Sequence, residues 1–381
     1  SWNDLILKNI GVKTTFVDAG EINNATVKSV VSKISIPKQI DHQLDENDLV
    51  LVTGGARGIV FECVAALADK TGCKLLLTGR TPVPGDEVKD VSLDRNDLAT
   101  SIRNLEMKLV KEEKMSLKDA KKEAARLKSL WEVNDNLLRL EKNGIKARYE
   151  KCDVSNHAEL EKLISRIKKE GEEITGIVHG AGVQKSKMLP DLEMEDILRT
   201  IETKMNPLFA MFELLDWEKV RFFNAFTSIA GLFGNAGQTD YAFANDMLAE
   251  MTLEIKAKYP HIQVSAVDWT AWTGTGMVSD AEAKRFVESG LVPIDVENGV
   301  KMFLLASSDD SHTRLAVFNE DAAFAKNSIS KYSLSSSPFK TLSQTHSEPK
   351  KINFSLERDL YLHQHVVNLS LIHISEPTRP Y

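Results

Sequence analysis

The stretch "DLVLVTGGARGIV" (Asp48 to Val60) constrains the fold more than any other part of this 381-residue chain. Its apolar run, Leu49 to Val52, reads as a strand buried on both faces. Gly54, Gly55 and Gly58 follow at once, and "RGIVFECVAALADKTG" continues as an amphipathic helix closed by Gly72. A strand that enters a glycine loop and leaves as a helix aims backbone amides and a helix dipole at one point. That arrangement grips a pyrophosphate, with Thr53, Arg57 and Ile59 completing the cradle.

The alternation continues downstream. "CKLLLTGR", "KARYEKCDV", "ITGIVHGAG", "VRFFNAFTS" and "IQVSAVDW" read as further strands with helical stretches between them. Such alternation predicts an α/β fold, a Rossmann-type doubly wound parallel sheet. One connection is too long for that plan: about 65 residues separate the second and third strands, where a few suffice. Leu98, Ile102, Leu105 and Leu109 form one helical stripe there. A second helix opens on a Ser116/Asp119 cap and closes at Gly144. The segment at about 85–145 is therefore expected to be an inserted helical hairpin packed on the side of the domain. Its Lys/Glu runs read as a solvated face.

The residues at the strand ends select a cofactor. An acidic residue at the end of the second strand would hold a ribose 2′-hydroxyl. This chain has Thr78, Gly79 and Arg80 there, with Arg57 in the glycine loop. A guanidinium suits a 2′-phosphate, so NADPH is expected. Asp153 and Val154 end the third strand, where the carboxylate could meet adenine. Gly180, Ala181 and Gly182 end the fourth, where the backbone passes close to the cofactor. His179 reads as a packed or capping histidine rather than a catalytic one.

Ser228 ends the fifth strand and Tyr241 follows on the next helix, so a hydroxyl and a phenol can converge on one carbonyl. Where a Ser and a Tyr are paired in this way, Lys commonly follows the Tyr by four residues, but here that residue is Asn245. Lys204 lies on the preceding helix, in "LRTIETKMNPLF", where an Asn is usual. The two residues look exchanged, which could leave the ammonium near the phenol.

With that exchange, "FTSIAGLFGNAGQTDYAFAN" resembles the ketoreductase domain of multidomain polyketide and polyunsaturated fatty acid synthases, within the short-chain dehydrogenase/reductase superfamily. "VTGGARGI", "DWTAWTGTGM" and the helical insertion resemble the same family over residues 46–325. The resemblance implies reduction of a β-ketoacyl thioester, carried on the phosphopantetheine of an acyl carrier protein, to the β-hydroxyacyl form. It implies Tyr241 as general acid, Lys204 lowering its pKa, Ser228 as hydrogen-bond donor to the substrate oxygen, and Asn245 orienting Lys204 or holding a proton relay. It also implies that "DWTAWTGTGM" contacts the nicotinamide and that "SDAEAKRFVESG" forms a lid. One departure is Val60, which stands where the glycine motif often has its third Gly. Neighbouring synthase domains would be partners. A free-standing reductase of a small ketone or acyl-CoA, or a silent structural domain, are the alternatives.

Outside residues 46–325, residues 1–45 form a flanking segment that could give strands or helices, and 326–352 read as a Ser-rich linker. "RDLYLHQHVVN", within 353–368, resembles the opening of a hot-dog dehydratase domain. Residues 369–381 read as a translated sequencing adaptor. The first residue is not Met, and the chain reads as a piece of something longer. The net charge of −7 argues against a nucleic-acid partner. No apolar run reaches the roughly 18 residues of a membrane span. No metal-ligand spacing is seen, and the scattered Cys63, Cys73 and Cys152 suit a reducing, cytoplasmic setting.

Overall fold

The computed structural model describes residues 41–89, 91–95, 97–273, 293–309 and 312–318 in full, together with the backbone of Asn319 and of four further strands, Leu5–Lys13, Lys28–Lys33, Val366–Val367 and Ser370–Leu371. Ser1–Val12 and Ser29–Tyr332 form one compact unit; Lys13–Lys28 and Ser333–Tyr381 form another. In the second, Val366–Val367 (β10) pairs antiparallel with Ser370–Leu371 (β11). The expected lid, the linker and most of the dehydratase-like and adaptor segments lie outside the described residues.

The first unit holds a sheet with strand order β2-β1-β9-β8-β7-β6-β3-β4-β5. The strands β3 (Leu49–Thr53), β4 (Lys74–Gly79), β5 (Ala147–Lys151), β6 (Ile174–His179), β7 (Phe222–Ser228), β8 (Gln263–Trp269) and β9 (Arg314–Asn319) are mutually parallel. This is the doubly wound arrangement expected. It has one more parallel strand than the sequence pattern singled out, "RLAVFN". The flanking segment also joins the sheet: β1 (Leu5–Lys13) runs antiparallel beside β9, and β2 (Lys28–Lys33) lies beyond it.

Alternate residues of each strand feed opposite cores. Val50 and Val52 join Phe61, Val64 and Leu67 of α1 (Gly58–Thr71) on one face, with Phe303 of the helix at Val296–Ser308. Leu49 and Leu51 join the other face, against Leu163 of α4 (His157–Lys169), Leu208 of α5 (Met194–Leu214) and Leu248 of α7 (Thr239–Lys258). The short α6 (Ile229–Phe233) lies between β7 and α7, and Val296–Ser308 is α8. The winding reverses at β3, which has β4 on one side and β6 on the other. Ligands enter doubly wound sheets at such a crevice.

The insertion forms α2 (Leu98–Lys111) and α3 (Leu117–Lys142). The Ser116 cap is present: its Oγ accepts from the Asp119 amide at 3.2 Å. Gly144 takes the left-handed conformation just past the end of α3, with φ 71°. Lys118, Lys121 and Lys122 face solvent. The inner side of α3 does more than fill space, because Asn136 Nδ2 donates to the Ala56 carbonyl of the glycine loop at 2.9 Å. Arg139 also forks onto Glu62 of α1 with two bonds of 2.8 Å. None of the described helices is long and apolar enough to cross a membrane.

Candidate active site

The glycine loop packs directly on the end of β6. Gly54 has φ 68°, and a Cβ there would stand 3.1 Å from the Ala181 backbone. Gly180 has the same need for a different reason: a Cβ would meet Val60 Cγ2 at 2.4 Å. Val60, where the family often has Gly, is therefore accommodated by the missing side chain at Gly180. Thr53 is fully buried and ties the two strand ends together, its Oγ1 accepting from the Ala181 amide at 3.2 Å.

In front of this junction lies a cavity of about 600 Å³. That volume is within the range of cofactor and small-molecule sites. One end is walled by Gly54, Arg57, Gly58 and Ile59, then by Thr78, Gly79 and Arg80 of β4 and Asp153 and Val154 after β5. Gly180, Ala181 and Gly182 form the middle, and Lys204, Ser228 and Tyr241 the other end. Thr53, Gly55 and Asn245 lie behind the wall rather than on it. Gly55 backs onto Val52, and Asn245 is fully buried. Asp153 is partly committed: its Oδ1 accepts from Ser155 N at 3.1 Å and Ser155 Oγ at 2.6 Å, shaping the turn into α4.

Several lining residues escaped the sequence reading. Tyr149 on β5 donates its hydroxyl to the Thr81 carbonyl at 2.6 Å. Burial pushes its pKa up to about 12, partly offset by the Arg57 guanidinium. Lys128 and Glu132 reach the same end from α3. Trp269, Thr270 and Trp272 did not escape it: they belong to the segment expected to contact the nicotinamide, and they line the Tyr241 end. Thr270 Oγ1 there is buried without a hydrogen-bond partner among the described residues. A nicotinamide dinucleotide fits this set: a close-packed glycine loop for its pyrophosphate, cations at one end, and a buried hydroxyl at the other.

Lys204 is 4% exposed and donates from Nζ to the Phe226 carbonyl at 2.9 Å. Burial draws its ammonium down to about 8, against the pull of the Asp268 carboxylate. Its backbone is anchored as well. The Lys204 carbonyl accepts from His179 Nε2 at 2.7 Å, and His179 Nδ1 faces Thr53 Oγ1 at 2.6 Å. A carbonyl only accepts, so Nε2 carries the proton and Nδ1 accepts from the threonine hydroxyl. Pro207 removes the helical donor to the neighbouring Thr203 carbonyl, and the bond from His179 is a second tie on the same turn. His179 is wholly buried, its pKa lowered to about 4 by desolvation and the Lys204 charge. It is thus the packed, neutral histidine expected.

The phenol differs from expectation. Burial holds the pKa of Tyr241 above its ordinary value, and polar groups of Asn245 and Ser228 pull it back; Lys204 is not among these influences. Asn245 Nδ2 donates to the Tyr241 backbone carbonyl at 2.7 Å, one helical turn back. Ser228 Oγ accepts from the Ala230 amide at 3.2 Å, so its own proton is directed elsewhere.

The KR domain family matches residues 49–274. One component of the polyunsaturated fatty acid synthase of Thraustochytrium sp. is 27% identical over 315 residues, 80% of this chain and 11% of that protein. Polyketide synthase PksN of Bacillus subtilis is 29% identical over 168 residues, 42% of this chain and 3% of that protein. The chain thus spans a small part of the relatives it matches. In fold, it is similar to the ketoreductase from the first module of phoslactomycin biosynthesis in Streptomyces sp. HK803, with TM-score 0.59, 21% identity and coverage of 81% and 60% of the two chains. A ketoreductase domain from the bacillaene assembly line gives TM-score 0.59 at 23% identity, covering 80% and 64%. The chain belongs to the KR domain family, oxidoreductases of the short-chain dehydrogenase/reductase fold that use a nicotinamide cofactor.

Proposed function

We propose that the chain reduces a β-ketoacyl thioester to the β-hydroxyacyl thioester with NADPH. The substrate is carried on the phosphopantetheine of an acyl carrier protein, and the chain acts as one module of a polyketide or polyunsaturated fatty acid synthase. The observation that carries the reading is the single cavity joining the glycine loop to Lys204, Ser228 and Tyr241. Arg57 and Arg80 at its far end, with no carboxylate at ion-pair distance among the described residues, support the phosphorylated cofactor.

A reduced nicotinamide bound there supplies the hydride. The remaining work falls to the chain. Ser228 donates a hydrogen bond to the β-carbonyl oxygen, keeping its proton, and stabilises the charge that develops there. Tyr241 gives that oxygen its proton. An alkoxide is far more basic than a phenolate, so a phenol with a raised pKa still delivers, and it stays fully protonated near neutrality. The function of Lys204 then shifts from lowering that pKa to resupplying the proton. An ammonium has three N–H groups; Phe226 takes one, and a pKa of about 8 allows exchange near neutrality. Asn245 fixes the turn that presents the phenol.

The test is NADPH oxidation with a β-ketoacyl thioester. Tyr241→Phe is expected to lose on the order of a hundredfold or more in turnover while binding NADPH within about twofold of the parent. Near-normal turnover would overturn the assignment. No turnover in the parent chain would indicate a silent domain, and equal efficiency with CoA-bound and carrier-bound substrate would indicate a free-standing reductase.

A further inference from the structure

The inserted hairpin contributes to the cofactor end of the cavity, and the geometry there is unusual in one respect. Lys128 and Glu132 stand one turn apart on α3, a spacing at which Lys and Glu ordinarily pair. They do not pair here. Glu132 Oε1 instead accepts from the Gly58 amide at 3.4 Å, at the amino end of α1, whose N-cap residue Arg57 supplies no side-chain cap. Lys128 is left lining the cavity with Arg57 and Arg80, and among the described residues none of these three cations has a carboxylate at ion-pair distance. The helix is held in place: Asn136, one turn further on, bonds the glycine loop at Ala56, and Arg139 forks onto Glu62.

We infer that α3 is a cofactor-recognition element, with Lys128 a specificity-determining residue for the 2′-phosphate and Glu132 a placeholder at the amide that the pyrophosphate needs. The inference rests on the NADPH reading above. Three unpaired cations converging on one cavity end offer charge-assisted contacts to a dianionic phosphate, which NADH lacks. The Glu132 contact is long and weak, and its carboxylate repels any pyrophosphate brought to the same amide. The two residues therefore act with opposite sign, although they share one helix.

The test measures Kd for NADPH and NADH with the whole 381-residue chain by the fluorescence of the bound reduced cofactor, without substrate. Lys128→Ala is expected to weaken NADPH about fivefold or more and leave NADH within about twofold, while Lys128→Arg keeps the preference. Glu132→Gln is expected to tighten both cofactors several-fold, since both carry a pyrophosphate. Thermal melts of each variant report whether the fold is intact. If the parent chain binds the two cofactors equally, the NADPH reading fails and this inference fails with it. If the parent prefers NADPH and Lys128→Ala retains that preference, or weakens both cofactors alike, the inference fails alone. Loss of affinity in Glu132→Gln as well as in Lys128→Ala would assign α3 a purely structural role and overturn the proposal.

Discussion

His179 offers the sharpest quantitative test of the structure, because its contribution to stability depends on pH in a calculable way. In His179→Leu the Thr53 hydroxyl loses its acceptor and the Lys204 carbonyl loses the second of its two donors, keeping only its helical one, both inside a fully buried site. An unsatisfied buried group costs roughly 1–3 kcal/mol and a lost second hydrogen bond about 1, so the variant is expected to lose about 3 kcal/mol at pH 7.5. Acid changes the comparison. The folded-state pKa of about 4 lies below the ordinary 6.5. Above pH 6.5 the ring is neutral in both states and carries no penalty. As pH falls through 6.5 toward 4, the unfolded chain takes up a proton that the folded chain refuses. Stability then drops by about 1.4 kcal/mol per pH unit for this one group. At pH 5 the parent has lost about 2 kcal/mol through His179 and the leucine variant none by that route. His42, also lowered to about 4, contributes equally to both proteins and cancels. The destabilisation should therefore shrink from about 3 to about 1 kcal/mol between pH 7.5 and pH 5. Urea unfolding followed by tryptophan fluorescence at the two pH values measures it. A difference that stays constant would mean that His179 is not held neutral between Thr53 and Lys204.

Lys204→Met is expected to lose on the order of a hundredfold in NADPH oxidation, yet to raise stability by about 1–2 kcal/mol, because it removes a desolvated charge worth more than the Phe226 hydrogen bond. In the parent, turnover should fall as pH rises past about 8 and the ammonium deprotonates; a pH–rate profile of the variant should lack that break. Arg80→Asp is expected to reduce the preference for NADPH at least tenfold, about 1.4 kcal/mol, in titrations with both cofactors. Arg314 is 1% exposed and bridges Asp268, Asp246 and Glu250 at 2.8–2.9 Å. Arg314→Met strands the buried Asp268 carboxylate and should cost about 3–5 kcal/mol at pH 7 in denaturant unfolding. The cost should be smaller at pH 5, because burial raises the pKa of Asp268 and lets the stranded group protonate.

What could be read in advance followed from how local each signal was. Parallel strands buried on both faces read as plain apolar runs, so β3, β4, β6, β7 and β8 stood out, and the glycine loop fixed the first crossover. The strand β9 lacks that setting in sequence, and β1 and β2 enter the sheet only through pairing with or beyond it, which no local pattern encodes. Tyr241, Ser228, Lys204 and Asn245 were legible through the exchanged Lys and Asn, whereas the pKa of Tyr241 depends on burial, a tertiary property. Thr53 and Gly55 belong to the motif by position but stand behind the cavity wall: Thr53 turns to His179 and the Ala181 amide, and Gly55 backs onto Val52. Tyr149, Lys128 and Glu132 carried no motif. Asn136 held the one available hint, a polar residue among the buried positions of α3.

The contact between Val60 and Gly180 makes the two positions a single evolutionary variable. Gly180 is needed because Val60 Cγ2 would lie 2.4 Å from any added Cβ. Substituting Gly180 first forces β6 away from α1 at the junction that shapes the cavity. Shrinking Val60 first leaves only a small void, after which a Cβ at position 180 meets just the Thr53 carbonyl oxygen, 3.2 Å away. The path from a Val/Gly pair to a Gly/Ala pair is therefore open in one order and closed in the other. Chains descended from this one should keep Gly180 for as long as they keep Val60, whatever substrate they come to reduce.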